Sequence, residues 1–293
     1  MTRIGVATAA EVPDLDDEGQ LLLAALRARG VVADPVVWDD ADVGWPDLDV
    51  VVVRSTWDYH SRPEEFLAWA DRVSSVTRLL NPAEVLRWNT DKRYLAELER
   101  AGIPIVPTQF LAPGAGPAHR YEGVEHVVKP VVSAGSRDTL RLGADDVSRS
   151  HEHAVRLLDA GRGVMVQPYL HEVDEHGETA MLYLDGEFSH AMRKGPLLTP
   201  GMGLVEGLFA EEEMSLRDPS AAERALADAV LAAMPERFSA DLLYARVDLL
   251  PSPAGPLLLE LELTEPSLFL DHHPPSVDVL AEAIVGRALA PRR

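Results

Sequence analysis

Two short apolar runs near the C-terminal end, separated by a proline and glycine turn from Pro251 to Pro256, carry three carboxylates: Asp248 on the first, Glu260 and Glu262 on the second. The runs (Val247, Leu249, Leu250; Leu257 to Leu259, Leu261, Leu263) read as the two strands of a hairpin. Alternate residues of a strand project to one face, so Glu260 and Glu262 stand side by side and Asp248 lies across from them on the partner strand. Three carboxylates on a mostly apolar sheet repel one another and resist burial, so a cation is expected among them. Oxygen ligands without His or Cys suit magnesium or manganese, and magnesium held by a few carboxylates usually holds substrate phosphates as well. Spacing alone leaves a second reading open, a solvated strand face on an acidic protein.

The protein is acidic. Its 293 residues hold 27 Lys plus Arg against 48 Asp plus Glu, a formal charge of −21. No basic surface is available to track phosphates, which argues against a nucleic-acid partner and against an anionic membrane. Cysteine is absent, which removes disulfides, a thiol nucleophile and Cys-ligated zinc. The first residues run quickly into the acidic segment Glu11 to Glu18, and no apolar stretch approaches the roughly 18 residues a membrane span needs. These features lead us to expect a cytoplasmic enzyme, long enough to divide into more than one lobe.

Three segments are expected. Residues 1–88 alternate strand and helix, with strands at Ile4 to Ala7, Val31 to Trp38 and Asp49 to Arg54 and a helix from Gly19 to Arg29 closed by Gly30, the pattern of an α/β unit with a parallel sheet. Residues 89–170 open with a helix over Thr90 to Ala101 and a strand over Ile103 to Phe110. Strands follow at His126 to Pro130 and Thr139 to Leu142, then a helix near Asp145 to Ala160 and a strand at Val164 to Pro168. Residues 171–293 hold a hairpin, Glu178 to Leu184 with Glu187 to Arg193 around Asp185-Gly186, a helix at Ser220 to Ala233, and the carboxylate-bearing strands.

Two lysines stand where a polyphosphate can be gripped. Lys92 lies near the start of a helix and Lys129 ends the apolar strand Val127-Val128-Lys129-Pro130, a costly place for a cation unless it meets an anion. The small-residue loop after Lys129, Val131 to Thr139, offers hydroxyls, amides and one guanidinium through Ser136 and Arg137, suited to folding over phosphates. A surface lysine and an ordinary hairpin turn are the plain alternatives. The stretch Arg54-Ser-Thr-Trp-Asp-Tyr-His60 follows a buried strand, at the end of an α/β sheet where ligands gather. There Arg54 is expected to hold a substrate carboxylate with Asp58, Trp57 and Tyr59 shaping the pocket, the alternative being a turn packed by its aromatics. His151-x-His153 and His272-His273 have no third ligand at matching spacing and read as helix surface and loop. No P-loop signature and no Gly-x-Ser-x-Gly elbow occurs.

Taken together, these segments resemble the ATP-grasp ligases, and among them the bacterial glutathione synthetases, over nearly the whole chain. Asn81-Pro82 with Trp88-Asn89-Thr90-Asp91-Lys92, then Val128-Lys129-Pro130, Gln167-Pro168-Tyr169-Leu170, Gly177-Glu178, Asp185-Gly186-Glu187, Lys194-Gly195-Pro196, and Arg246 two residues before Asp248 follow one another in the family's order. Glu260-Leu261-Glu262 with Pro266 stands for the family's Glu-x-Asn-x-x-x-Pro, with Glu262 in place of Asn, and the loop after Lys129 is less glycine-rich than the family's lid. The resemblance implies an α+β ATP-grasp fold, an N-terminal parallel α/β domain followed by a two-lobed ATP-grasp module. It implies ATP, with the adenine held at Gln167, Tyr169 and Leu170, and Mg or Mn, as two ions, on Asp248, Glu260 and Glu262.

In the same resemblance Lys92, Lys129, Ser136, Arg137 and Glu178 belong to the nucleotide site, while Lys194 and Arg246 face the transferring phosphoryl and acyl groups. A carboxylate attacks the γ-phosphate, giving an acyl phosphate and ADP, and an amine attacks the activated carbonyl. The segments around Arg54, Trp88, Ser189-His190-Ala191-Met192-Arg193-Lys194 and Glu260 resemble the ATP-grasp branch that contains the O-ureido-D-serine cyclo-ligase of D-cycloserine formation. Two alternatives remain: an intermolecular dipeptide or glutathione-like ligase, and a non-catalytic ATP-binding regulator, against which the three carboxylates and four cations argue. The expected partner is a small amino-acid-derived molecule, and a homo-oligomer is compatible with it.

Overall fold

The structure is a computed structural model describing residues 1–196, 198, 213–239 and 242–291. Four parallel strands, β1 (Arg3–Thr8), β2 (Val32–Val37), β3 (Val50–Ser55) and β4 (Arg78–Leu80), form the first sheet in the order β2-β1-β3-β4. The run of four valines in β3 is buried on both faces, as a central strand of a parallel sheet requires, while Pro35 sits on the edge strand β2, where a missing N–H is tolerated. Helix α1 (Asp17–Ala28) begins where the Asp16 carboxylate accepts the Gly19 amide, and Gly30 ends the turn after it at φ 78°. Helix α2 (Pro63–Val76) was not legible in the sequence. Its Phe66, Trp69, Ala70 and Val73 recur at helical spacing and pack with Trp38.

Two short helices, α3 (Ala83–Asn89) and α4 (Tyr94–Arg100), replace the single helix expected over Thr90 to Ala101. The chain breaks between them because Lys92 is drawn inward, its amide donating to Val131 O at 2.9 Å. The second sheet is antiparallel, order β5-β8-β6-β7, from β5 (Gln109–Leu111), β6 (His126–Pro130), β7 (Leu140–Leu142) and β8 (Val164–Pro168), backed by α5 (Val147–Asp159). Only the end of the strand expected at Ile103 to Phe110 pairs here. Pro104 and Pro107 lack donors, and the segment instead makes an isolated bridge from Ile105 to Leu258.

After the short helix α6 (Glu172–His176), the third sheet runs β11-β10-β9-β12-β13, with β9 (Glu178–Leu184), β10 (Glu187–Lys194), β11 (Met214–Leu216), β12 (Tyr244–Leu250) and β13 (Leu257–Glu262). Asp185 and Gly186, both at positive φ, make the two-residue turn between β9 and β10. Helices α7 (Ala221–Ala232), α8 (Glu236–Ser239) and α9 (Pro275–Leu289) complete the chain. Alternation along β9 and β12 sends Met181, Tyr183, Val247 and Leu249 into a core with α4 and α7, and Ala180, Leu182, Leu184 and Tyr244 into another with α1, α9 and the first sheet. Strand β12 is therefore buried along its whole length, and any charge on it must be neutralised inside the protein.

Candidate active site

One cavity of about 540 Å³ is lined by side chains from the second and third sheets and from α1 and the segment that follows β3. On β12, Arg246 and Asp248 share a face. The Arg246 guanidinium grips the Asp248 carboxylate with Nε at 2.9 Å and Nη2 at 2.8 Å, and also reaches Glu262 and, through Nη1, Ser267 O at 3.2 Å. Cross-strand register sets Asp248 opposite Glu260 and Arg246 opposite Glu262. Lys92 Nζ lies 3.0 Å from Glu260 and donates to Ser133 O at 2.7 Å, while Lys194 Nζ lies 2.7 Å from Glu178 and 3.9 Å from Asp248. Lys129 faces the cavity without a hydrogen-bond or ion-pair partner among the described residues.

The electrostatics follow from burial. Burial works against the charged form of Asp248, yet Arg246 and Lys194 hold its carboxyl below the usual range. Burial pushes Glu262 up to about 7 against the pull of Arg246, and the charges of Glu260 and Asp248 add to the rise. Burial lowers the Lys129 pKa, Lys92 and Lys194 push the same way, and Glu260 and Glu178 oppose them. An anion beside Lys129 and a cation beside Glu262 each relieve a strained charge balance.

An apolar slot continues the cavity: Val106, Val173 and Leu250 with Tyr169, Leu170, Leu257 and Leu259. Gln167 donates to Thr108 Oγ1 at 2.9 Å, and the Arg141 guanidinium lies 3.4 Å from the centre of the Tyr169 ring. Of the loop residues, Ser136 lines the cavity and Arg137 does not. Asp138 anchors that loop through ion pairs to Arg156 at 2.7 Å and Arg162 at 2.5 Å.

Lys92, Lys129, Lys194, Arg246, Glu178, Asp248, Glu260, Glu262, Gln167, Tyr169, Leu170 and Ser136 thus come together around one space. Arg54 and Asp58 do not. Arg54 is buried behind the wall, donating to Pro266 O at 3.0 Å and to Glu18 at 3.3 Å, and Asp58 accepts from Trp38 Nε1 at 2.9 Å and pairs with Arg62. The substrate-holding expectation for this pair gives way because each head group is already taken. Their neighbours Trp57 and Tyr59 line the cavity.

A match to the family described as D-cycloserine synthetase DcsG, N-terminal domain, covers residues 4–81. The cycloserine biosynthesis protein DcsG of Streptomyces lavendulae is 39% identical, across 96% of this chain and 97% of the relative. The chain belongs to the DcsG family. The crystal structure of D-cycloserine synthetase DcsG superposes with a TM-score of 0.89 at 38% identity, covering 98% of this chain and 99% of the other. D-alanine–D-alanine ligase from Bacillus anthracis shares the fold at a TM-score of 0.70 and 16% identity, covering 99% and 98%. The fold is accordingly that of the ATP-grasp ligases, and this DcsG-family chain is an enzyme of that ligase class.

Among the described residues of this DcsG-family chain, no three His, Asp or Glu side chains converge closely enough to ligate one ion. The physical reason lies in the pairing above: Arg246 and Lys92 have turned the carboxylate oxygens toward themselves. The donor set still fits magnesium or manganese, which complete their shells with phosphate oxygens and need only one or two carboxylates. Two contributors escaped the sequence reading. Glu18 ties the wall together, accepting from the Leu268 and Phe269 amides at 2.9 Å each, and Glu265 lines the cavity beside Glu262. Glu18 closes the acidic run from Glu11, which stands out only for its charge, and Glu265 stood in a motif read for its Glu260 and Glu262. No helix among the described residues is long and apolar enough to cross a membrane.

Proposed function

We propose that this chain closes O-ureido-D-serine to D-cycloserine at the expense of ATP, as a cytoplasmic biosynthetic enzyme. The observation that carries this reading is likeness to a cycloserine biosynthesis protein along 96% of the chain, including the N-terminal segment whose Asp17, Glu18, Trp57 and Tyr59 line the cavity. The adenine fits the slot of Val106, Leu170, Leu250 and Leu259 beside Gln167 and Tyr169, which sets the phosphates beside Lys92 and Lys129. Asp248, Glu260 and Glu262 would hold Mg or Mn, which supplies neutralisation of phosphate charge when bound.

Lys194 and Arg246 then face the transfer. They stabilise negative charge as the substrate carboxylate takes the terminal phosphoryl group and ADP leaves, and again as the ureido-bearing nitrogen attacks the acyl carbon and releases phosphate; the closed ring still carries the carbamoyl group on that nitrogen, which water must then remove as carbon dioxide and ammonia to leave D-cycloserine. The cavity walls exclude water from the acyl phosphate between the two steps. We further infer that the chain divides at 1–88, 89–170 and 171–293, since each sheet lies within one of these segments, although α4 packs on the third sheet.

The test is ADP release with O-ureido-D-serine alone, with single amino acids and with pairs, products followed by mass. The ring closer turns over one substrate and ignores added amines. Turnover only with pairs would replace this reading by an intermolecular ligase using the same nucleotide residues.

A further inference from the structure

The loop that leaves β13 is held on both sides of one side chain that nothing holds. Leu263 N donates to Asn89 and Leu263 O accepts from Asn81, both at 2.7 Å; Thr264 O accepts from the Tyr244 hydroxyl at 2.9 Å; Pro266 O accepts from Arg54 at 3.0 Å and Ser267 O from Arg246 at 3.2 Å. Between these clamps lies Glu265, 9% exposed, on the cavity wall, its carboxylate without a hydrogen bond or ion pair among the described residues. A carboxyl desolvated to this degree without a donor is costly, and a loop pinned at its neighbours cannot move to find one. The donor must come from what enters the cavity.

The surroundings say which kind. Arg246, Arg54 and Lys92 all act on Glu265 electrostatically, but none donates to it: Arg246 grips Asp248, Lys92 pairs with Glu260 and donates to Ser133 O, and Arg54 gives Nη1 to Pro266 O and Nη2 to Glu18 while its Nε is buried without a partner. Its charge is also felt by Tyr59 and Tyr244 on the side of the first sheet. Glu265 therefore sits between the acyl-transfer end, marked by Arg246 and Glu262, and the wall carried by the N-terminal segment. Asp16, Asp17 and Asp271 line the same cavity; Asp16 accepts from Ser55 Oγ and the Gly19 amide and Asp271 lies 3.7 Å from His272 Nε2, yet the carboxylates lining the cavity outnumber its lysines and arginines. Such an end repels a second carboxylate and draws a compact cation. Burial and the Glu262 charge hold the Glu265 carboxyl well above the usual range, a cost that a bound cation removes.

We propose that Glu265 accepts the α-ammonium group of the amino-acid substrate and so selects zwitterions over plain carboxylic acids. The assignment rests on the amino-acid ligase reading above and names the group that would carry its specificity. The α-carbon of an amino acid separates its ammonium from its carboxylate by one atom, so a substrate presenting its carboxylate to Arg246 presents its ammonium to the next acceptor along the wall.

The experiment compares wild type with Glu265→Gln, which keeps shape and burial but removes the charge, on O-ureido-D-serine and on its desamino analogue, 3-(ureidooxy)propanoate. In the wild type the amino-bearing substrate is preferred. In Glu265→Gln its KM rises by about 10- to 100-fold, the size of a lost charge-assisted contact, the KM for the desamino acid does not rise, and the KM for ATP and the magnesium dependence stay put. An equal loss on both acids, or a shift in magnesium dependence, overturns the proposal in favour of a structural or metal-side role. Should wild type release no ADP with O-ureido-D-serine, the cyclo-ligase reading fails by itself, and the same comparison is made by calorimetry on protein loaded with a non-hydrolysable nucleotide. D-serine is set there against 3-hydroxypropanoate, and a wild-type protein that fails to prefer D-serine, or a Glu265→Gln variant that keeps the preference, overturns the assignment.

Discussion

Asn89→Leu should unravel the wall that carries the carboxylates. Strand β13 is an edge strand, and an edge buried inside a protein leaves backbone groups that must find other partners. Asn89 supplies them, donating through Nδ2 to Leu261 O and accepting through Oδ1 from Leu263 N, both at 2.7 Å, while the Tyr94 hydroxyl takes Leu261 N at 2.8 Å. The amide side chain thus acts as a missing strand across Glu262. Leucine has a similar branched shape but strands the Leu263 N–H and leaves the Leu261 carbonyl with only the Tyr94 hydroxyl, at 2.8 Å, at a site only 7% exposed. At about 1–3 kcal/mol for the unsatisfied N–H, the loss is roughly 1–3 kcal/mol, a sizeable part of the ~5–15 kcal/mol that holds a typical domain. Urea unfolding followed by tryptophan fluorescence, with an unchanged slope, measures it. As a reference, Arg87→Ala removes an ion pair to Asp71 whose side chains are 51% and 57% exposed, and should fall within about 0.5 kcal/mol of wild type. A loss in Asn89→Leu no larger than that of Arg87→Ala would refute the idea that Asn89 substitutes for a strand.

Lys129→Met should weaken ATP binding by about 10- to 100-fold in calorimetry while leaving the fold intact, because Lys129 alone of the cavity cations has no protein partner among the described residues; an unchanged Kd counts against its place at the phosphates. Glu260→Ala should reduce ADP release to background at ordinary magnesium in a protein that is still folded but melts lower, since buried Lys92 loses its carboxylate, and an active variant sinks the metal assignment. The contribution of His60 and His190 to stability should fall as pH drops from 6.5 to about 4, since burial first, and neighbouring cationic or imidazole groups second, lower both to about 4, so the unfolded chain takes up protons there before the folded one does, while the raised Glu262 and Glu265 carboxyls act in the opposite sense. Urea midpoints across that window test it, and a His190→Gln variant with the wild-type slope would remove His190 from the account.

What the sequence displayed was whatever local periodicity or chemistry could encode. Glu178 to Leu184 was legible to its ends because alternate residues serve two different cores and an Asp-Gly turn closes the strand. The carboxylates and cations were legible because charge on an apolar strand has few explanations. Side-chain partners far away in the chain were not. Arg54 looked like a substrate clamp because its strand is buried and its end faces a crevice, but the guanidinium was committed to Glu18 and to Pro266 O, 212 residues on. Likewise the helix predicted from Thr90 to Ala101 starts only at Tyr94, its first residues held instead by the contacts of Lys92 with Glu260 and Ser133, both distant in sequence.

That same commitment of partners explains how a protein with a formal charge of −21 can keep an anion site. Lys92, Lys194 and Arg246 cannot wait unpaired in a cavity walled by β12 without a prohibitive desolvation cost, so Glu260, Glu178, Asp248 and Glu262 hold them in place. Phosphates must then compete with carboxylates for the lysines, and a divalent ion arriving with them gives the displaced carboxylates a new partner. Much of the desolvation has already been met when the protein folds, and the exchange needs no large rearrangement of charge. Glu262 in place of a neutral amide follows the same logic. Its carboxyl, raised to about 7, can exchange a proton for a metal, whereas an Asn at that position offers the metal a neutral oxygen and holds no such proton.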